Sequence, residues 1–223
     1  MNQGVKKYDE KDGLIFLGKI TASISHEVNN VNAIIRELAG LMDDLLYGAE
    51  QTGQINVEKF REIVNKILDQ TKRGERNIKR LNRFSHSVDY PKTVFKLNDI
   101  IHDIAELSRR FARLKHVTLA VDLPDETCDM NSNPFLLQYA VFMCIDVFVN
   151  SSDDYGSVNI TITSNSEAAD IIITGKIRKE DEKNPERINT INLLVNELHG
   201  DFIQLKNDES NDVLTLKIPL NTG

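Results

Sequence analysis

A histidine, an acid and a carboxamide lie close together in the stretch Ser25-His26-Glu27-Val28-Asn29-Asn30. A neutral imidazole ring is a competent nitrogen nucleophile near pH 7. A neighbouring carboxylate can accept the proton of one ring nitrogen, which orients the ring and makes the other nitrogen more nucleophilic. The amide of Asn30 lies four residues beyond His26, on the same face of a helix, where it could hold a water molecule or a phosphoryl oxygen. His26, Glu27 and Asn30 are therefore candidates for phosphoryl chemistry.

The candidate residues lie in a long stretch that has the apolar period of a helix. Residues 14–47 contain no proline, and their apolar side chains recur about every 3.5 positions, with Glu27 in one slot of the series. We expect Gly48 and Gly53 to end this helix and form a loop. A second helical pattern covers residues 57–86. Together they predict an antiparallel hairpin whose apolar stripes are wide enough to form a four-helix bundle in a homodimer.

Folding the hairpin about its loop predicts which residues surround the histidine. Glu27 is expected roughly level with Arg76 of the second helix, and the small residues Thr71 and Gly74 near the same layer. In this heptad assignment His26 points away from the apolar seam, towards solvent. The sequence therefore predicts a polar, uncrowded layer beside an accessible imidazole.

The pattern changes after Tyr90-Pro91, which ends the second helix. Helix and strand signals then alternate. We predict strands at 94–97, 117–123, 158–164, 170–176, 202–205 and 213–218, and helices at 98–114, 134–149 and 185–198. These elements predict an α+β domain with a largely antiparallel sheet, covered on one face by helices. We accordingly divide the chain into domains at residues 1–90 and 91–223.

Composition excludes several classes of function. The net charge is −7, which disfavours a nucleic-acid partner. One basic cluster stands out, and we interpret it as a solvated helix face, with a docking site for an acidic partner as the alternative: Lys72, Arg73, Arg76, Lys79, Arg80 and Arg83. The polar N-terminus lacks the apolar core of a signal peptide, and no apolar run reaches the roughly 20 residues that a membrane span needs. We expect a cytoplasmic protein with no membrane contact.

The segment LGKITASISHEVNN resembles the H-box in the dimerisation and histidine-phosphotransfer domain of bacterial sensor histidine kinases. In that family a leucine-glycine pair precedes a small, apolar run and then His-Glu-hydrophobic-Asn-Asn. The resemblance implies that His26 is the phosphoacceptor and Glu27 its acid/base partner. Asn30 matches the position that supports dephosphorylation of a response regulator. Val31 stands where the family usually has proline, so we expect the helix to continue without a kink.

The second half resembles the ATP-binding domain of the same kinases in its order of elements, which implies a histidine-kinase ATPase-like α/β sandwich. Its segment NPFLLQYAVFMCIDVFVN resembles the N-box helix, with Gln138 at the early glutamine. The position of the magnesium-binding asparagine falls on Asp146, and the preceding asparagine position falls on Phe142. A carboxylate can bind Mg²⁺, so Asp146 alone decides nothing.

Glycines argue against a nucleotide site. Kinases of this family read adenine with an Asp-x-Gly-x-Gly turn and cover the phosphates with a glycine-rich lid, because close backbone approach requires glycine. Gly-x-Gly occurs nowhere in the 223 residues, and residues 171–187 contain one glycine and many charges. We therefore predict that the fold persists without binding ATP.

These features together resemble the ChpT-type histidine phosphotransferases of phosphorelays. The resemblance implies that His26 passes a phosphoryl group between the receiver domains of response regulators, with no cofactor of its own and with Mg²⁺ supplied by the receiver. Three alternatives stay open. They are a histidine kinase with an atypical ATP site, a response-regulator phosphatase that uses Glu27 and Asn30, and a dimeric scaffold that sequesters a receiver.

Overall fold

The computed structural model describes residues 9–151, 155–177, 185–205 and 211–221. The helices in these ranges are α1 Glu10–Thr52, α2 Val57–His86, α3 Leu97–Leu114, α4 Pro134–Ser151 and α5 Pro185–Glu197. The strands are β1 Thr93–Lys96, β2 Thr118–Asp122, β3 Asp129–Ser132, β4 Ser157–Ser164, β5 Ala168–Gly175, β6 Asp201–Leu205 and β7 Asp212–Pro219. Contacts divide the chain into two compact units. One is Thr21–Arg83, and the other combines Met1–Ile20 with Phe84–Gly223.

The first unit is the predicted helical hairpin. The expected helix stop at Gly48 is wrong, because α1 continues through Gly48 to Thr52. The hydroxyl of Thr52 donates to the carbonyl of Gly48 (2.9 Å), and Gly53 then takes the left-handed backbone (φ 68°) that ends a helix. The side chain of Asn56 accepts a hydrogen bond from the backbone N–H of Lys59 (3.0 Å) and so caps the start of α2.

The predicted apolar seam is confirmed in α1 and shifted in α2. Ile24 and Val31 are buried, as expected. In α2 the large apolar side chains of Ile63 and Phe84 are buried, whereas Val64, the neighbour of Ile63, is exposed. Large apolar side chains remain exposed along the hairpin: Leu41, Leu46, Val64, Leu68 and Ile78. The dimeric four-helix bundle stays a prediction.

The second unit contains the predicted α+β layers. Its five-stranded sheet has the order β2-β4-β5-β7-β6, and only the β2–β4 pair is parallel. Burial alternates along β4, β5 and β7, as expected for a sheet with one face in the core. The largely antiparallel sheet is thus confirmed. Helix α4 packs against α3 and α5, and all three helices contact the sheet.

Helix α4 is apolar on nearly all sides. By length and composition alone it could cross a membrane, but 78% of the helix is buried within the fold, as in the core helix of a globular domain. Cys144 lies on this helix, and burial raises the pKa of its thiol. Cys144 is therefore a buried core residue with an unreactive thiol.

The strand β3 was not predicted. It pairs antiparallel with β1 in a separate two-stranded sheet, with Phe95 opposite Met130. The sequence Asp129–Ser132 has little intrinsic strand preference, because aspartate and asparagine are depleted in strands. Pairing with a strand more than 30 residues away decides its conformation.

An aromatic cluster joins the ends of the hairpin helices to α4. The ring of Phe16 stacks on Tyr139 (centroids 4.6 Å apart) and meets Phe84 edge-on (5.2 Å). Phe142 and Phe135 complete the cluster, 4.9 and 5.6 Å from Phe16. Packing therefore groups the first turns of α1 and the end of α2 with the α+β layers, while the division of domains at residues 1–90 and 91–223 stays a prediction.

Candidate functional site

The candidate nucleophile lies on an accessible face of α1. His26 and Asn30 are both exposed, and their spacing of four residues places them on the same side of the helix. The alanines at positions 22 and 33 on this face are exposed too, so the approach to the imidazole is lined by small side chains. A partner protein can therefore reach the ring.

Glu27 faces the second helix of the hairpin. One of its oxygens accepts a hydrogen bond from Nη2 of Arg73 at 2.9 Å, and its side chain is only 14% exposed. A charge-assisted hydrogen bond of this kind restricts the carboxylate to a narrow range of positions. The ion pair thus fixes the position of the Glu27 carboxylate, one residue after His26 in the sequence.

The sequence predicts Arg76 opposite Glu27, but the arginine that pairs with Glu27 is Arg73, about one turn earlier on α2. Three residues along an α-helix correspond to a rotation of about 300°, so Arg76 and Arg73 point in different directions. Arg76 is exposed, whereas Arg73 lies at the edge of the contact between the helices, where its long side chain reaches Glu27. The sequence showed that an arginine is available but not which one faces α1.

Small and polar groups surround this layer, partly as predicted. Gly74 is buried, and a Cβ added there would lie 3.4 Å from Cγ1 of Val31. Thr71 is exposed, and its hydroxyl donates to the carbonyl of Ile67 on its own helix (3.0 Å), so it does not line the pair. Sequence reasoning missed Ser23 and Gln70, whose side-chain oxygens are buried without a hydrogen-bond partner among the described residues. Their positions, three residues before His26 and Arg73, are the signal that could have found them.

On α4, the helix that resembles an N-box, the carboxylate of Asp146 is paired with other side chains of the protein. Asp146 is 15% exposed, and Nη1 of Arg187 on α5 lies 3.3 Å from its Oδ2. Its Oδ1 accepts a hydrogen bond of 2.8 Å from the side chain of Asn150. Both carboxylate oxygens at the predicted magnesium position therefore face protein donors.

The two other N-box positions are part of the core. The side chain of Gln138 is buried and donates to the carbonyl of Pro134 within α4 (3.1 Å). Phe142 packs against Phe16 and Phe111 in the aromatic cluster. Both side chains are therefore buried in the core.

Gly175 is the single glycine of residues 171–187, where the family has its adenine-binding turn, and packing explains its presence. A Cβ on Gly175 would lie 2.7 Å from the ring of Phe148 on α4, so the close packing of β5 on this helix requires glycine. Just beyond it, the backbone N–H of Ile177 donates to Asp212 on β7 (2.8 Å). Residues 178–184, which stand where the family has its lid, lie outside the described residues.

Comparison with known proteins identifies the fold. No family model matches the chain, and no curated protein matches it. The catalytic domain of the histidine kinase ThkA superposes on 60% of this chain and on all of its own length, with a TM-score of 0.53 and 14% identity.

Two longer kinase structures also match. A histidine kinase from Burkholderia phymatum covers 89% of this chain and 98% of its own, with a TM-score of 0.54 and 13% identity. The kinase AdeS from Acinetobacter baumannii covers 88% and 98%, with a TM-score of 0.50 and 14% identity. The chain thus has an α+β fold with an N-terminal helical region and a mixed sheet that matches the ATPase-like domain of histidine kinases.

Proposed function

We propose that this protein is a histidine phosphotransferase that passes a phosphoryl group between the receiver domains of response regulators. The observation that carries the proposal is an exposed histidine, His26, next to a carboxylate that Arg73 holds in place. The kinase-like fold supports a role in two-component signalling. The ChpT-type resemblance of the sequence adds the relay role.

The chemistry needs few groups from this chain. One imidazole nitrogen of His26 bonds to phosphorus as the bond from phosphorus to the donor's aspartate oxygen breaks, and the electron pair leaves with that carboxylate. Glu27 accepts the proton of the other ring nitrogen. The reverse steps deliver the phosphoryl group to the aspartate of the next receiver. The receiver supplies the Mg²⁺ that neutralises the transferred charge, while this chain positions the nucleophile.

The state of Asp146 supports transfer without ATP. A Mg²⁺ ion bound there would have to displace Arg187 and Asn150 from the carboxylate. That exchange would leave a partly buried guanidinium without its charged partner, which is unfavourable. Phe142, in the second asparagine position, offers no polar atom to a nucleotide.

Homodimerisation is part of the proposal. The exposed apolar residues of the hairpin would be covered by a second copy, which completes a four-helix bundle. Changing Val64 and Leu68 to glutamate should convert a dimer to a monomer in light scattering coupled to size-exclusion chromatography. A wild-type protein that is monomeric at micromolar concentration would contradict this part.

The proposal is tested with a panel of phosphorylated receivers from the same organism, incubated with wild type, His26→Ala and Asn30→Ala. We expect wild type to acquire phosphohistidine and to pass it on, and His26→Ala to lose both steps. A His26→Ala variant that still strips phosphate from a receiver would favour the phosphatase function instead. The exposure of Asn30 beside His26 is the observation that keeps this second function in view.

A further inference from the structure

A cavity of about 430 Å³ lies where the first turns of α1 meet the start of α4. Two of its lining residues are polar, Glu10 on α1 and Asn133 just before α4, and a third is Gly13. Apolar side chains form the rest of the lining of this space, which we call the α1–α4 cavity: Leu14, Leu17, Val88, Pro91, Phe135 and Leu136. All of these residues belong to the same compact unit. The volume is within the range of about 300–1,000 Å³ that is typical of small-molecule sites.

The wall that α1 provides follows from helical spacing. Glu10, Leu14 and Leu17 are four and three residues apart, so their side chains share one face of the helix. The carboxylate of Asp9 accepts a hydrogen bond of 2.9 Å from the backbone N–H of Lys11 and so caps the start of the helix. The cap keeps this first turn, and with it one wall of the cavity, in a helical conformation.

Contacts within the protein hold the opposite wall in place. The ring of Phe135 is only 8% exposed and packs against Phe16 and Phe84, at centroid distances of 5.6 and 6.1 Å. The side-chain oxygen of Asn133 accepts a hydrogen bond of 3.0 Å from the backbone N–H of Leu136, which fixes the start of α4. A ligand would therefore find this wall already ordered, which lowers the entropic cost of binding.

Two walls of the cavity present apolar surface to water. Leu14 on α1 is 68% exposed, and Val88, between α2 and β1, is 48% exposed. Exposed apolar side chains are common when they occur singly. Here they come from separate elements and line the same concave space, an arrangement typical of ligand sites. Filling the cavity with an apolar group would remove this surface from water, which is favourable.

Glu10 supplies a negative charge to the lining of the cavity. Its side chain is exposed, and no described residue forms an ion pair or a hydrogen bond with its carboxylate. Asp9 and Asp12 also lie at the start of α1, so three carboxylates occur within four residues there. Two acids already complement the positive end of the helix dipole, and a third adds repulsion that a cation would relieve. The cavity therefore favours a ligand with a positive charge beside its apolar part.

We propose that the α1–α4 cavity binds a small organic amine. An aryl or alkyl body fills the apolar space, and the ammonium group pairs with the carboxylate of Glu10. Burial of apolar surface supplies most of the affinity, and the exposed charge pair selects a cation over an anion. No residue of the cavity belongs to the proposed phosphotransfer site, so this inference does not depend on the proposed function.

The test titrates the whole chain into two fluorescent probes that differ in the sign of their charge. Dansylcadaverine carries an aromatic body and a primary amine at the end of a flexible chain. Dansyl-6-aminohexanoic acid has the same aromatic body and ends in a carboxylate. By fluorescence anisotropy we expect saturable binding of the amine with a dissociation constant on the order of 10 µM. The carboxylate probe should bind about tenfold more weakly, because Glu10 repels it.

Matched variants locate the binding site. The cavity variant is Leu14→Gln, Val88→Thr, and we expect it to bind dansylcadaverine about tenfold more weakly than wild type. The control, Ile15→Gln, Val94→Thr, makes the same kinds of change at exposed apolar residues of α1 and β1 outside the cavity lining, and it should bind like wild type. All four side chains are exposed, so both variants are expected to fold.

A charge variant tests the role of Glu10. Glu10→Gln should weaken binding of the amine probe about threefold and should not weaken binding of the carboxylate probe. Equal affinity of the cavity variant and its control for dansylcadaverine would overturn the inference, as would a preference of wild type for the carboxylate probe. Light scattering covers the other occupant. Self-association that is lost in the cavity variant, with no probe bound to wild type, would assign the cavity to a second copy of the chain and also overturn the inference.

Discussion

The hairpin around His26 and the helix pair around Asp146 treat their polar groups in opposite ways. In the hairpin, the imidazole and the amide of Asn30 are exposed, and only the neighbouring Glu27 is held by an arginine. On α4, both oxygens of Asp146 face Arg187 and Asn150. In the hairpin, an arginine–carboxylate ion pair thus positions Glu27 beside an accessible nucleophile. On α4, the same kind of ion pair occupies a carboxylate that could otherwise bind a metal ion.

This contrast shows why a motif is informative only together with its surroundings. Both carboxylates are mostly buried, at 14% and 15% exposure. The two carboxylates differ in the residues that surround them. Glu27 directly follows the exposed His26 in the sequence, whereas Asp146 lies among core residues of an apolar helix. We therefore expect changes at the first carboxylate to affect activity and changes at the second to affect stability.

Among changes to the two carboxylates and their partners, the largest effect should come from Glu27→Gln, which keeps the shape of the side chain but removes the proton acceptor. Loss of a general acid/base group typically lowers a rate by about 10²–10⁴-fold. We expect a loss in this range for phosphoryl transfer from a labelled receiver in rapid-quench experiments. Glu37→Gln, on the exposed face of α1 that carries His26, is the control and should leave the rate unchanged. Similar rates for both variants would show that Glu27 is only structural.

The corresponding change in the other region, Asp146→Ala, should act on folding. It removes the carboxylate that pairs with Arg187 and accepts a hydrogen bond from Asn150, and we expect a loss of about 1–3 kcal/mol in the free energy of unfolding. Urea denaturation followed by circular dichroism measures this. The transfer rate at a temperature where the variant is folded should equal that of wild type. A tenfold loss of transfer in folded protein would contradict the separation of the two regions.

A smaller effect on activity is expected from Arg73→Gln. Without its charge, the residue no longer fixes Glu27, and loss of about 1.4 kcal/mol of positioning corresponds to about a tenfold slower transfer. Arg73→Lys should recover part of the rate, since it restores the charge without the planar guanidinium. A purely structural role would change the denaturation midpoint without changing the rate of the folded protein.

Two glycines, one in each region, test how closely the neighbouring elements pack. Gly175→Ala would place a methyl group 2.7 Å from Phe148 and should destabilise the protein by about 1–3 kcal/mol. Gly74→Ala would place one 3.4 Å from Val31, an ordinary contact, and should stabilise α2 by up to about 1 kcal/mol through helix propensity. Thermal unfolding of both variants measures the difference. Destabilisation by Gly74→Ala would mean that the helices approach more closely there.

Much of the fold could be predicted because its elements follow local patterns. The long helices and the strands β4, β5 and β7 show clear apolar periods in the sequence. The strand β3 and the extension of α1 beyond Gly48 could not be predicted in this way. A long-range pairing decides the first, and a glycine that simply stays helical decides the second.

The candidate site was predictable as a motif but not as a geometry. His26, Glu27 and Asn30 are neighbours in sequence, so helix spacing alone indicates their faces. The partner of Glu27 depends on the register and rotation of a second helix, and an error of three residues replaced Arg73 by Arg76. The closure of Asp146 by Arg187 joins residues 41 positions apart, which no local pattern shows.

The source of the phosphoryl group tests the central claim most directly. Wild-type protein is incubated in parallel with γ-³²P-labelled ATP and Mg²⁺ and with receivers carrying labelled aspartyl phosphate, and acid-labile label on His26 is measured. We predict label from at least one receiver and none from ATP. Label from ATP that disappears in His26→Ala would contradict the account and show a working kinase.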